Sequence, residues 1–348
     1  MRRFARTLAG FALAAAVVAG TAGWASGDTQ RAVTGPPPGS AAWRADGMLG
    51  RALPDPGRAT PAQVDRFFRE LSADQRQSLL ERHPSVVGNL DGVPLELRYR
   101  ANSFALRAST DFRYARLAAS GRQILAFDPR GRGQVAEVFG DLRSARHVSV
   151  VVPGSDIDAG TFDRRGGDVY GTPAGMARSL YAGTGPGNAV IAWAGYTTPV
   201  GLGLDAATGG LAEAGAKRLT RFTAGLAADG LPAPAVFCHS YGSVVCGLAA
   251  SGLGATDLVV LGSPGMRADD VTDLHTRARV WAAKDDTDWI DDVPHVEVAG
   301  LGHGADPADE EFGARRVPAE DAEGHTGYFV PGTDSLRAFA AIAEGVSR

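Results

Sequence analysis

Ser240 is the residue of this sequence whose setting most clearly suggests chemistry. The stretch Ala235–Cys246 runs from a predicted strand through this serine directly into a predicted helix. A serine held on such a strained strand-to-helix turn exposes its hydroxyl as a nucleophile, and Gly242 lets the strand and helix approach closely. The position two residues before the serine is Cys238, where the G-x-S-x-G motif has glycine, so the match is partial. The alternative interpretation is a serine that caps the helix.

A nucleophilic serine needs a base, and the base needs an acid that orients it. In proteins with this turn the three follow along the chain as serine, acid and histidine. Three aspartates follow the predicted strand Arg279–Ala283. We favour Asp288, because it stands far enough past the strand for a loop to turn its carboxylate inward, with Asp286 and then Asp285 as alternatives.

Three histidines follow these aspartates. His325 lies beyond the last predicted strand and before the predicted final helix, Ser335–Glu344, where the base is expected. His303, between two glycines, is its competitor, and His295 opens a predicted strand and is assigned a structural role.

An oxyanion formed during acyl transfer needs preorganised N–H donors. One is expected from the amide of Tyr241. The other is expected from the loop after the predicted strand His147–Val152, where Gly154 permits close approach and Ser155 supplies the N–H.

Three aromatic residues, Trp193, Tyr196 and Trp289, are candidates for an apolar substrate pocket, although aromatic side chains more often belong to the core. The acidic cluster before Trp289 lacks the regular ligand spacing of a calcium site. The sequence therefore predicts neither a metal nor a cofactor.

Cys238 and Cys246 are the two cysteines of the chain. Gly242 is expected to face the strand, and Cys246, four residues further along the helix, shares its face. The sequence thus predicts a disulfide that braces the turn at Ser240, with two buried free thiols as the alternative.

Strands and helices that alternate along the chain must position these residues. Apolar strands buried on both faces alternate with helices from Gln123 onward, which predicts a mainly parallel sheet with helices on both sides. The runs Gln123–Phe127 and Gln134–Phe139 flank a Pro-Gly turn and predict an antiparallel hairpin at one edge.

The chain divides into four predicted parts. Residues 1–25 have a basic start and an apolar core, and predict a signal peptide cleaved near Ala25, or alternatively an uncleaved anchor. Residues 26–60 are rich in proline and glycine and predict a flexible linker. Residues 61–120 predict a helical segment packed on the catalytic domain, which is assigned to residues 121–348.

Composition limits the classes of partner. The 348 residues carry a formal charge of -4 without a basic stripe, which argues against a nucleic-acid partner. The predicted signal peptide implies a secreted or cell-envelope location, and no later segment is long and apolar enough to span a membrane. The oligomeric state is not indicated.

Seven motifs together resemble an actinobacterial family of secreted α/β-hydrolases of unassigned substrate. The resemblance implies the α/β-hydrolase fold, with the helical segment in or against the same domain, and supports Ser240, Asp288 and His325 as a triad. The motifs are Asn89–Pro94, Ala126–Pro129, Val151–Gly154, Trp193–Tyr196, His239–Ser243, Gly262–Gly265 and Gly324–Tyr328.

The function predicted from these features is an exported serine hydrolase that acts on a small-molecule or lipid substrate through an ester or amide bond. Two alternatives stay open. An acyltransferase uses the same triad with an alcohol as acceptor, and a non-catalytic binding protein can share the scaffold.

Overall fold

The computed structural model describes residues 29–346, so the signal peptide predicted over residues 1–25 lies outside the described residues. The described strands form an eight-stranded sheet and a separate two-stranded hairpin. They are β1 (Gln123–Asp128), β2 (Gln134–Gly140), β3 (His147–Val152), β4 (Asn188–Ala194), β5 (Ala235–His239), β6 (Asp257–Leu261), β7 (Arg279–Ala283), β8 (Glu297–Val298), β9 (Leu301–Gly302) and β10 (Arg315–Val317).

Helices precede the sheet and then fill the connections between its strands. They are α1 (Ser40–Ala45), α2 (Pro61–Arg69), α3 (Ala73–Arg82), α4 (Pro84–Asn89), α5 (Leu95–Ala108), α6 (Pro173–Gly183), α7 (Leu204–Ala207), α8 (Gly210–Ala228), α9 (Gly242–Ala249) and α10 (Asp334–Ala343).

The large sheet has the strand order β1-β2-β4-β3-β5-β6-β7-β10. From β4 to β10 neighbouring strands are parallel, whereas β2 pairs antiparallel with both β1 and β4. The predicted edge hairpin and the mainly parallel sheet are therefore confirmed. Because parallel strands place their carboxyl ends at one edge, the loops after β3, β5 and β7 meet there.

Side-chain amides close the free edge of β1. Asn89 donates to the carbonyl of Phe127 at 2.7 Å and accepts from the N–H of the same residue at 3.0 Å. Asn102 donates to the carbonyl of Ile124 at 3.1 Å. These bonds satisfy edge groups that would otherwise be open to another strand, and they dock α4 and α5 on the sheet.

The described part of the predicted linker, residues 29–60, is folded against the helices, so the linker prediction is wrong there. Trp43 in α1 is fully buried, its ring N–H donates to the carbonyl of Pro54 at 2.7 Å, and its ring stacks on Phe68. A buried indole with a satisfied N–H fixes a segment whose prolines and glycines alone predicted flexibility.

Two parts of the chain after β7 differ from the predicted strands. The run beginning at His295 forms only the short strand β8, which pairs with β9 outside the large sheet. The large sheet instead ends on β10, a three-residue strand with two arginines that pairs parallel to β7. No described helix combines the length and hydrophobicity that a membrane crossing requires.

Candidate active site

Ser240 occupies a strained turn between β5 and α9. Its backbone φ is 55°, in the left-handed region that non-glycine residues seldom adopt. A Cβ on Gly242 would lie 2.7 Å from the carbonyl oxygen of Val152, so only glycine allows α9 to pass this close to the end of β3. Ser243 donates to the carbonyl of Cys238 at 3.1 Å and joins the helix to its strand.

The loop after β3 lies directly against this serine. A Cβ on Gly154 would stand 2.5 Å from the Cβ of Ser240, so the glycine brings the main chain up to the nucleophile. Asp156 has a φ of 64°, and its N–H donates to Pro199 at 2.8 Å, which fixes the loop. The N–H of Ser155 belongs to this loop, and that of Tyr241 to the start of α9, where N–H groups have no acceptor within the helix.

Asp288 and His325 form a hydrogen-bonded pair. Nδ1 of His325 donates to Oδ1 of Asp288 at 2.7 Å, and the hydroxyl of Tyr328 donates to Oδ2 at 2.7 Å. Since a carboxylate only accepts, the proton of the neutral imidazole is on Nδ1 and Nε2 is left as an acceptor. The side chain of Asp288 is fully buried and that of His325 is 13% exposed.

The surroundings keep Asp288 ionised. Burial raises the pKa of this carboxyl, but hydrogen bonds from His325, the Ile290 N–H and Tyr328 outweigh burial and hold the pKa below its usual value. A carboxylate that stays charged orients a neutral imidazole and stabilises it once it accepts a proton.

The other candidates for acid and base have different partners. Asp285 accepts from the N–H groups of Thr287 and Gly324 and so supports the loop that carries His325, whereas Asp286 is exposed. His303 donates from Nε2 to Ala206 at 2.7 Å, and burial lowers its pKa to about 4.

His295 lies near Asp306 and not near Asp288. Its Nε2 lies 3.6 Å from Asp306, and burial lowers its pKa. Among the described residues, only His325 is hydrogen-bonded to Asp288 through an imidazole.

His239, the residue directly before Ser240, also belongs to the site. Its Nε2 donates to the main-chain carbonyl of His325 at 2.6 Å, and the two rings lie 4.7 Å apart. Burial, followed by the neighbouring His325, lowers the pKa of His239 to about 3, so it is neutral. It therefore links the turn of Ser240 to the loop of His325.

Of the three aromatic candidates for the substrate pocket, one lies beside the site and two lie in the core. Trp289 is 40% exposed, with its ring 4.5 Å from that of His325, so it flanks the site. Trp193 and Tyr196 are buried and stack on each other in the core. Their assignment to the substrate pocket is corrected: Tyr196 instead donates to the carbonyl of Pro153 at 2.7 Å and supports the loop beside Ser240 from behind.

Cys238 and Cys246 are joined as a disulfide, with their Cα atoms 6.5 Å apart. The bond connects the end of β5 with the second turn of α9 on either side of Ser240, as the spacing of the two residues predicts. Within residues 29–346, no three histidine, cysteine or carboxylate side chains gather as ligands for a metal.

Residues 128–298, a stretch that includes Ser240 and Asp288, match a family model described as alpha/beta hydrolase. An uncharacterized protein of Mycobacterium tuberculosis, found in two strains, is 28% identical over 84% of this chain. The chain spans 57% of the length of that relative.

Two solved structures give more distant comparisons. A predicted CIB-like hydrolase from Thermoplasma acidophilum is 13% identical, with a TM-score of 0.40 over 66% of this chain and 98% of its own. Dienelactone hydrolase from Anabaena variabilis is also 13% identical, with a TM-score of 0.37 over 61% of this chain and 90% of its own.

Proposed function

We propose that this chain, which has the α/β-hydrolase fold, is a serine hydrolase in which Ser240 attacks, His325 is the base and Asp288 orients the base. The observation that carries the proposal is the 2.7 Å hydrogen bond from His325 Nδ1 to Asp288, which leaves Nε2 free to accept a proton. The bond from His239 to the His325 carbonyl supports it, because it ties the base's loop to the residue next to Ser240.

The chemistry follows from these protonation states. The hydroxyl proton of Ser240 moves to Nε2 of His325 as Oγ forms a bond to the acyl carbon. The tetrahedral species then collapses, the bond to the leaving alcohol breaks, and Nε2 returns the proton to that alcohol. Water repeats the same steps on the acyl-enzyme and releases the acid.

The negative charge on the tetrahedral oxygen requires donors that are already in place. We assign the main-chain N–H groups of Tyr241 and Ser155 to this task, because Gly154 brings the second of these close to Ser240. Removing one such donor from other hydrolases costs about 10²–10³ in kcat, so rigid placement of this loop is central to the rate.

Esters are the proposed substrates, and the cell envelope or the exterior is the proposed location. Trp289 beside the base offers an apolar surface for an acyl group. Export is supported by the apolar N-terminal segment and by the disulfide, since such bonds persist mainly in oxidising compartments.

Labelling with a fluorophosphonate tests the proposal. The reagent should modify the protein once, at Ser240, and ester turnover should stop with labelling. Ser240→Ala should abolish labelling and lower kcat on p-nitrophenyl esters by about 10³-fold or more.

The matched control is Ser251→Ala, since Ser251 is an exposed serine in the turn after α9. This variant should label and turn over esters like the parent. Equal labelling of the parent and Ser240→Ala would exclude Ser240 as the nucleophile.

A further inference from the structure

A cavity of about 540 Å³ lies between the N-terminal helical segment, the β1–β2 hairpin and α8, and we call it the hairpin cavity. No residue of the proposed triad lines it. Asp91, Asp128 and Trp193 do, and the proposed chemistry gives none of these three residues a role.

Two side chains that line the hairpin cavity have polar atoms with no hydrogen-bond partner in the described part of the chain. Gln134 is 3% exposed, and neither its amide nitrogen nor its amide oxygen is hydrogen-bonded within residues 29–346. Arg98 is 1% exposed, and its Nη1 has no acceptor in that range. Buried polar groups are seldom left unpaired, so two donors and one acceptor at one cavity indicate a polar occupant.

The charged side chains around the cavity have an excess of positive charge. Asp128 is paired with Arg130 at 2.6 Å, and Asp91 lies 3.3 Å from Arg98. Of the described residues, five basic and three acidic side chains line the cavity: Arg98, Arg130, Lys217, Arg218 and Arg221 against Asp91, Asp128 and Glu213.

Arg218 carries part of this excess. Its Nε donates to the carbonyl of Gly195 at 2.5 Å, and it has no carboxylate partner among the described residues. Burial lowers the pKa of its guanidinium, yet an arginine stays protonated in proteins. Asp128 and Asp91 are near enough to act on Arg218 electrostatically, but neither is paired with it directly, so this partly desolvated guanidinium attracts an oxyanion.

We propose that the hairpin cavity binds a small organic anion, one with a carboxylate or phosphate group and a second group that hydrogen-bonds to an amide. The anionic group would be held by Arg218 and by Nη1 of Arg98. Gln134 would hydrogen-bond to the second group, since its amide both donates and accepts. This site is distinct from Ser240, and its existence does not depend on the proposed hydrolase activity.

Binding to the full chain tests the site with three probes at constant ionic strength. L-malate supplies carboxylates and a hydroxyl, inorganic phosphate supplies the other anion, and malamide is the neutral counterpart of malate. Malate or phosphate should bind in calorimetry and raise Tm, while malamide should do neither. If malate binds and phosphate does not, the ligand's anionic group is a carboxylate. If phosphate binds and malate does not, it is a phosphate. A cavity filled only with water would leave all three probes without effect and would overturn the proposal.

Substitutions place the binding in the hairpin cavity. Arg218→Gln should raise the Kd of the bound anion about tenfold or more, as expected for a lost charge-assisted hydrogen bond. Gln134→Met keeps the size of the side chain and should also weaken binding. Arg143→Gln is the matched control, because Arg143 is 67% exposed and pairs with surface carboxylates away from the cavity. Unchanged affinity in both Arg218→Gln and Gln134→Met would refute the site.

Discussion

At the scale of single residues, the buried carboxylate of Asp288 determines which imidazole nitrogen of His325 carries a proton. Asp288→Asn keeps the shape of the side chain but removes the charge and offers an amide that can itself donate. We therefore expect the imidazole to lose its preferred tautomer and kcat to fall by about 10³–10⁴-fold, while substrate binding changes little. Steady-state kinetics on p-nitrophenyl esters measures this effect.

Asp286→Asn is the matched control for that experiment, since Asp286 is an exposed member of the same acidic cluster. It should retain the parent's kcat. If Asp286→Asn proves the more damaging of the two substitutions, the acid has been misassigned.

His239 is expected to act on the reaction through the position of His325. His239→Phe removes the donor to the His325 carbonyl, and His239→Gln retains an amide that can replace it. We expect the phenylalanine variant to lose kcat on the order of tenfold with little change in KM, because one hydrogen bond is worth about 1 kcal/mol and misplaced groups react slowly.

Recovery of kcat in His239→Gln separates positioning from general damage to the fold. If His239 has only a structural role, both variants should have a lower Tm and a smaller fraction of active enzyme. The kcat of each remaining active site should then be unchanged. Titration of active sites with the fluorophosphonate distinguishes these results.

The residues of the proposed triad were accessible from the sequence, and the residues that support them were not. Ser240, Asp288 and His325 follow from local motifs and their order along the chain. The contacts of His239 and Tyr328 join positions 86 and 40 residues apart, which no local pattern encodes. The motif Gly324–Tyr328 contains both His325 and Tyr328, and this proximity was the one available signal.

At the scale of elements, the disulfide connects β5 to α9 across the turn that strains Ser240. It closes a loop between cysteines eight residues apart, and such a short loop gives a stabilisation of about 2–2.5 kcal/mol. We expect the double substitution Cys238→Ala with Cys246→Ala to lower the free energy of unfolding by up to that amount. Urea unfolding under non-reducing conditions measures it.

Alkylation of the denatured, unreduced protein provides an independent check on the disulfide. No thiol should react before reduction, and two should react after it. Two reactive thiols in unreduced protein would show that the cysteines are free, and the expected loss of stability would then have another cause.

Elements with a strong local pattern were predicted closely, and those defined by their neighbours were not. The valine-rich β3 and the strand β7 have the predicted bounds. Helix α6 was not identified, since seven of its eleven residues are buried and it lacks a clear polar face. Strand β10 exists through its pairing with β7, because an arginine pair and one valine carry little strand signal alone.

At the scale of the whole molecule, buried histidines should make stability depend on pH. The pKa of His239 is lowered to about 3 and that of His303 to about 4, whereas both should titrate near 6.5 in the unfolded chain. As pH falls below about 6.5, the unfolded state binds two protons that the native state does not bind, so the free energy of unfolding falls. Asp229 opposes this change. Burial raises its pKa to about 6, so the native state gains a proton and relative stability as pH falls through that value.

Urea unfolding at pH 7, 6 and 5 should resolve these contributions. From pH 7 to pH 5 each buried histidine costs about 2 kcal/mol, and the gain at Asp229 offsets part of the sum. His303→Gln can still donate to the Ala206 carbonyl but cannot be protonated, so its stability should fall by about 2 kcal/mol less than the parent's over this interval. Asp229→Asn removes the opposing gain and should make the fall steeper. If the parent and His303→Gln lose stability in parallel, the acid sensitivity of the fold arises from groups other than this imidazole.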